Sequence, residues 1–221
     1  MTGWSVSNLN DFGRTRLSCH FYMRDFLFSD IAAIHGLINA PDDPDLAIAA
    51  GTQLCTQLLD PLQSVFGRIA IRSAYRSCEV NALGNTMQKA GKRGYNCAEN
   101  EKNYAGHIWD RRDAEGCMGA MACIVLPEFV DAFPNEGDWT KLAWWIHDHL
   151  SYATLEFFPT NWAFNIGWHE RPRRSIYSFA PWTDRDGRHR SGYLTRAGMA
   201  NFEGNDRAEW EALAGVFDLA G

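Results

Sequence analysis

Residues 69–127 constrain this chain most, because they set chemistry-bearing polar side chains between two apolar runs. The run 68–73 alternates Ile69 and Ile71 with polar or small neighbours, the period of a half-buried strand, so Arg72 faces away from the core and the turn that follows presents Arg76. Residues 119–127, Gly-Ala-Met-Ala-Cys-Ile-Val-Leu-Pro, read as a second, buried strand. Between them His107 is followed by Asp110 and Asp113, three and six residues on. Imidazole nitrogen and carboxylate oxygen are the donors of a zinc site.

The flanks read as helix before this stretch and as strand after it. Ser29 is placed to cap a short helix that Gly36 ends, with Ile31, Ala32 and Ile34 on one face, packed on the next helix. Asp43 and Pro44 open a long helix whose apolar stripe is Leu46, Ala49, Leu54, Leu58, Leu62 and Val65, kinked at Pro61 and stopped at Gly67. Residues 84–103 lack periodicity and predict a long loop. Residues 138–150 predict a tryptophan-rich helix capped by Asp138, with Leu142, Trp145, Ile146 and His149 on one side. Residues 155–158 and 163–169 predict a hairpin, in which Asn165, Gly167 and His169 share one face and Phe164, Ile166 and Trp168 the other. His147 and His149 read as packing or capping residues. Residues 181–221 form an extension with a charged turn at 184–190 and a short amphipathic helix near 206–217.

Composition excludes several classes. A chain of 221 residues, 46% hydrophobic with nine tryptophans, buries a core and is not disordered; one domain over 1–221 is the economical expectation. A net charge of -6 gives no field for nucleic acid, and the basic run 171–174 reads as a solvated loop or strand edge. No run approaches the roughly 18 apolar residues of a membrane span, and the first residues carry no export signal, so synthesis in the cytoplasm is expected. The six cysteines form no Cys-x-x-Cys pair and are expected as mostly buried thiols.

Residues 73–81, Ser-Ala-Tyr-Arg-Ser-Cys-Glu-Val-Asn, resemble the Ser-Gly-Tyr-Arg-Ser-x-x-x-Asn motif of the zinc D-alanyl-D-alanine carboxypeptidase family, peptidoglycan peptidases of the Hedgehog/DD-peptidase fold. The helical segments around Phe26 to Asp30, Leu59 to Leu62 and Phe66-Gly67 are similar to that family's N-terminal helices, and Trp168-His169 resembles its closing strand. The resemblance covers roughly residues 22–177. It implies an α+β fold in which N-terminal helices lead into a small antiparallel sheet carrying a zinc site. His107 is then the first ligand, His169 the last, and Arg76 the residue that binds a carboxylate or steadies an oxyanion. The family's middle ligand lies seven residues past the first, where this chain has Ala114. Local spacing selects Asp113; laying the family's Gly-x-Ala-x-Asp-Ile strand on residues 119–124 selects Cys123 instead; Asp110 is a third choice.

The acidic residue that the family carries before its last histidine is replaced here by Ile166 and Gly167. A general base must reach the water it deprotonates, so Glu156 on the paired strand is the candidate, with Glu170 or the unused aspartate as alternatives. The implied activity is zinc-dependent hydrolysis of cell-wall peptides by a monomer, with a phage route to the wall in place of an export signal. The alternative is a noncatalytic peptidoglycan-binding or phage structural module of the same fold. Hydrolysis of another small peptide is a third reading.

Overall fold

The computed structural model describes residues 3–184, 186–204 and 207–219. In chain order it runs α1 (Val6–Gly13), α2 (Asp30–His35), α3 (Pro44–Leu54), α4 (Asp60–Phe66), β1 (Ala70–Ser73), α5 (Cys78–Lys89), α6 (Asn100–Asn103), β2 (Gly119–Val125), α7 (Pro127–Ala132), α8 (Trp139–His149), β3 (Thr154–Phe157), β4 (Phe164–His169), β5 (Ser175–Thr183), β6 (His189–Thr195) and α9 (Arg207–Trp210). It is an α+β protein. Its contacts cluster into two units, one of residues 1–56 and 73–122 and one of residues 57–72 and 123–221. Among the described residues no helix is long and apolar enough to cross a membrane.

Local chemistry sets the helix ends. Ser5, Ser29, Asp43 and Ser77 each accept a backbone N–H of the first turn, which satisfies donors that a helix start leaves unpaired. Gly36 ends α2 with φ 66° and Gly67 ends α4 with φ 77°. Gly67 is required by its backbone, φ 77° with ψ -159°; the Glu128 carboxylate also lies against the position a Cβ would take, but Glu128 is exposed and free to move. Between α3 and α4 the residues Cys55–Leu59 form a π turn, so the break in the long helix lies just before Pro61. The buried stripe is accordingly Ala47, Ala50, Leu54, Leu58 and Leu62, while Ala49 is exposed.

The first unit packs around Trp109. Its ring lies 5.2 Å from Phe26 and 6.1 Å from Tyr75, and its Nε1 donates to Met121 O at 3.1 Å. Gly51 lets α3 approach this ring, since a Cβ there would lie 2.8 Å from Trp109 Cζ3. The second unit packs on Phe66, which meets Trp145 edge-on at 4.8 Å, and on the rings of Trp139, Phe157 and Phe164.

Several expectations are corrected. Residues 84–89 continue α5 and 100–103 form α6, so the loop between them is much shorter than expected; Asn and Gly there disguise a helix whose buried contacts are Val80, Asn81 and Gly84. α2 packs on α5, where Gly84 makes room for Ile31, and Ile34 is 78% exposed. Pro127 begins α7. Asp138 does not cap α8 through its side chain; it accepts from Asn135 N and Lys141 Nζ.

The sheet is mixed and six-stranded, in the order β1-β2-β4-β3-β5-β6. β3 and β4 form the expected antiparallel pair, with Glu156 opposite Asn165, but β3 also runs parallel to β5. β5 and β6 pair antiparallel, and His189 and Arg190 of the expected charged turn already belong to β6, so the first part of the extension is sheet. β4 is buried along both faces except at His169, and both of its edges are paired, with β2 on one side and β3 on the other. The expected terminal helix is a single turn, α9, followed by a 3₁₀ turn at Glu211–Gly215, and its first residue, Asp206, falls outside the described residues. Arg171 and Arg173 of the basic run are exposed as expected, while Arg174 is half-buried and its Nη2 donates to His147 O at 2.6 Å.

Candidate metal and anion site

The residues after β1 turn sharply into α5, and the turn is held from both sides. Arg76 N donates to His107 O at 2.8 Å, and His107 Nδ1 lies 2.8 Å from Ala74 O, so two pieces of sequence 33 residues apart are tied by reciprocal bonds. Asn39 grips the same turn. Its Nδ2 donates to Tyr75 O at 2.9 Å and its Oδ1 accepts from Ser77 N at 2.8 Å, one bond on each side of Arg76. A second Nδ2 bond, to Leu27 O at 2.9 Å, anchors it to the N-terminal segment. The motif's last residue, Asn81, fixes the loop that leads toward His107: Nδ2 donates to Ala98 O and Asn100 Oδ1, and Oδ1 accepts from Asn103.

Arg76 is half-buried, and its guanidinium meets Cys97 Sγ at 3.3 Å, Ser73 Oγ at 3.4 Å and Asn96 O at 3.5 Å. Among the described residues these are neutral acceptors at long range, with no carboxylate beside them. An arginine held in place without a counter-ion is suited to take one from a ligand. Burial pushes the Cys97 thiol up, against the pull of Arg76.

His107 is 5% exposed. Because a carbonyl oxygen can only accept, Nδ1 carries the hydrogen, and in the neutral ring Nε2 is the lone-pair nitrogen. A backbone carbonyl on the far nitrogen is also how metal-binding imidazoles are oriented. The other expected ligands are differently engaged. Asp113 Oδ1 accepts from Glu115 N and Cys117 N, both at 2.9 Å, which closes the 113–117 turn. Asp110 is 2% exposed and committed within the first unit: Tyr75 Oη donates to Oδ1 at 3.1 Å and Asp42 N to Oδ2 at 2.8 Å. Burial raises its carboxyl and drives the Tyr75 phenol far up.

His169 ends β4, half-exposed, with Arg171 N donating to Nδ1 at 3.0 Å and Arg171 O 3.2 Å from the same atom. Glu156, on the paired strand, accepts Asn165 Nδ2 on Oε2 at 2.8 Å. Cys123 is half-buried in β2, and Glu170 is exposed. No group of three or more His, Cys, Asp or Glu gathers as a cation cage among the described residues. His107 thus fits a zinc ligand; at His169 the Arg171 backbone engages Nδ1, the nitrogen a metal on Nε2 would leave to it, whereas at Asp113 a metal on Oδ1 would compete with two backbone N–H groups.

No protein-family model, curated protein or solved structure matches this chain. The resemblance singled out Arg76 and His107, and the structure brings the two together through the Arg76 N to His107 O bond. Asn39 was not singled out, since an isolated Asn in an Ile-Asn-Ala-Pro run carries no signal until the turn it clasps is folded.

Proposed function

We propose that this chain is a zinc-dependent peptidase of the Hedgehog/DD-peptidase fold, acting on cell-wall peptides that end in a carboxylate. The observation that supports the reading is the clasp of His107 on the turn that carries Arg76: its carbonyl accepts from Arg76 N and its Nδ1 donates to Ala74 O, while the Arg76 guanidinium has no carboxylate partner among the described residues. His107, Asp113 and His169 are the proposed ligands, and zinc bound there would lower the pKa of a water toward neutrality. Arg76 receives the peptide's carboxylate or the developing oxyanion, and Asn39 keeps its backbone in place. Asn165 holds Glu156 by Oε2 and leaves Oε1 to accept a proton.

Elemental analysis after zinc reconstitution tests the ligand set. The expected result is near one zinc per chain, with large loss in His107→Ala and His169→Ala. Protein that stays metal-free after reconstitution removes the zinc reading. In a turnover assay on muropeptide fragments, Arg76→Ala should cost roughly 30- to 1000-fold with metal content unchanged, the effect of about 2–4 kcal/mol of lost charge stabilisation. Arg76→Lys should recover part of it, because a point charge lacks the paired donors.

A noncatalytic module that binds the same peptides is the second reading. Commitment of the Asp113 carboxylate to its own turn favours it. Peptide binding that depends on Arg76, without turnover at saturating zinc, would select that reading.

A further inference from the structure

His147, on α8, lies far along the chain from the motif residues and is 2% exposed. Both ring nitrogens are engaged: Nδ1 lies 2.8 Å from Tyr152 Oη and Nε2 2.8 Å from Phe202 O. The carbonyl can only accept, so in the neutral ring Nε2 carries the hydrogen and Nδ1 accepts the tyrosine's. Tyr152 Oη has a second acceptor in reach, Arg174 O at 2.9 Å. A second proton on the imidazole therefore has a place to sit, with the hydroxyl swung to Arg174, but it puts a charge into a covered site.

The cover is the segment 196–204. The Phe202 ring meets the imidazole edge-on at 5.6 Å, and the Arg174 guanidinium lies over that same ring, 5.6 Å from its centre. Arg174 also donates to His147 O at 2.6 Å and has φ 51°, a left-handed conformation that these bonds hold in place. A cation thus already stands at the latch, and imidazolium would be a second. The charges of opposite sign, Asp148 on α8 and Glu203 beyond Phe202, are both exposed, and Asp148 also accepts from Trp210 Nε1 at 2.7 Å. His149, the remaining titratable group of this turn, stacks on Trp145. Apart from His147, the segment is held mainly by Asn201, which donates to Leu194 O and accepts from Thr195 Oγ1.

The same segment walls an open cleft of about 1020 Å³, lined by Thr140 and Trp144 of α8, Trp182 and Tyr193 of the sheet, and Met199 and Asn201. We propose that His147 is an acid-released latch: neutral, it holds segment 196–204 against α8, and protonated, it lets that segment swing away and widens the cleft. Burial, reinforced by Arg174, pulls the imidazole's pKa below its ordinary value, against the Phe202 carbonyl and the two carboxylates. A lowered pKa in the covered state means that the open state binds the proton more tightly. The hold is therefore complete above the ordinary histidine range, near pH 6.5, and is lost as pH falls through the covered-state value.

Hydrogen exchange of the full chain between pH 8 and 4, expressed as protection factors to remove the intrinsic pH dependence, tests this. Protection across 198–203 should fall in acid, by up to about tenfold for each unit separating the open and covered pKa values, in step with the His147 ¹⁵N signals. Protection in the middle of α8 should stay constant. His147→Gln keeps a neutral donor for Phe202 O and should abolish the step. Asp148→Asn, on the surface, keeps an acceptor for Trp210 and should move the midpoint to lower pH. Protection that stays flat or rises through the His147 titration overturns the proposal, as does a step that survives in His147→Gln or a midpoint that does not move in Asp148→Asn.

Discussion

Two buried side chains do the most for the turn that carries Arg76. Asn39 spends all three of its bonds on backbone groups, so Asn39→Ala strands the Ser77 N–H and two carbonyls in a buried site. With about 1–3 kcal/mol for each buried group left unsatisfied and partial relaxation, the expected loss is roughly 2–4 kcal/mol, read from the urea midpoint at unchanged m. Asp110→Ala deprives Tyr75 Oη and Asp42 N of their acceptor and should cost a similar amount, whereas Tyr75→Phe removes one donor and should cost about 1 kcal/mol. If Asp110 held zinc instead, Asp110→Ala would be recognised by lost metal in elemental analysis. Its two oxygens are already taken, so zinc stoichiometry should be unchanged. Cys123→Ala and Asp113→Ala, compared in the same way, decide between the two remaining alignments.

At the scale of elements, the stop of α4 is the most exacting position. Gly67→Ala meets a backbone penalty, because φ 77° with ψ -159° costs a non-glycine residue about 1–3 kcal/mol. The single change should lose about that much by chemical denaturation. The new Cβ also meets the Glu128 carboxylate, but Glu128 is exposed and can swing aside, so the loss should be the same with and without Glu128→Ala. A loss that shrinks in the double variant would show that the carboxylate is held in place. The sequence marked this stop and the starts at Ser29 and Asp43 because caps and glycines act through their nearest neighbours. It did not mark the run 84–89 as helix, since what holds Gly84 there is the close approach of Cys97 and Ile31 from elsewhere in the chain.

For the whole molecule, metal and fold should be separable. Each unit has its own aromatic core, around Trp109 in one and Phe66 with Trp145 in the other, and neither is built on a cation cage among the described residues. Chelator treatment should leave far- and near-ultraviolet circular dichroism unchanged. Added zinc should raise the unfolding midpoint only by mass action, about 2.7 kcal/mol at a hundredfold excess over Kd. Collapse of the near-ultraviolet signal in chelator would show a structural metal instead.

The sequence by itself determined the order of helices leading into strands, the caps at Ser29 and Asp43, the stops at Gly36 and Gly67 and the β3–β4 pairing, because periodicity, capping and spacing are local properties that a linear string records. The parallel pairing of β3 with β5, the place of β6 in the sheet, the burial of both faces of β4 and the clasp of Asn39 on the Arg76 turn were decided only by tertiary structure. Each joins residues whose partners are distant in sequence. A strand's own pattern states that it has a face to bury, and the neighbour that buries it is selected only when the whole chain packs.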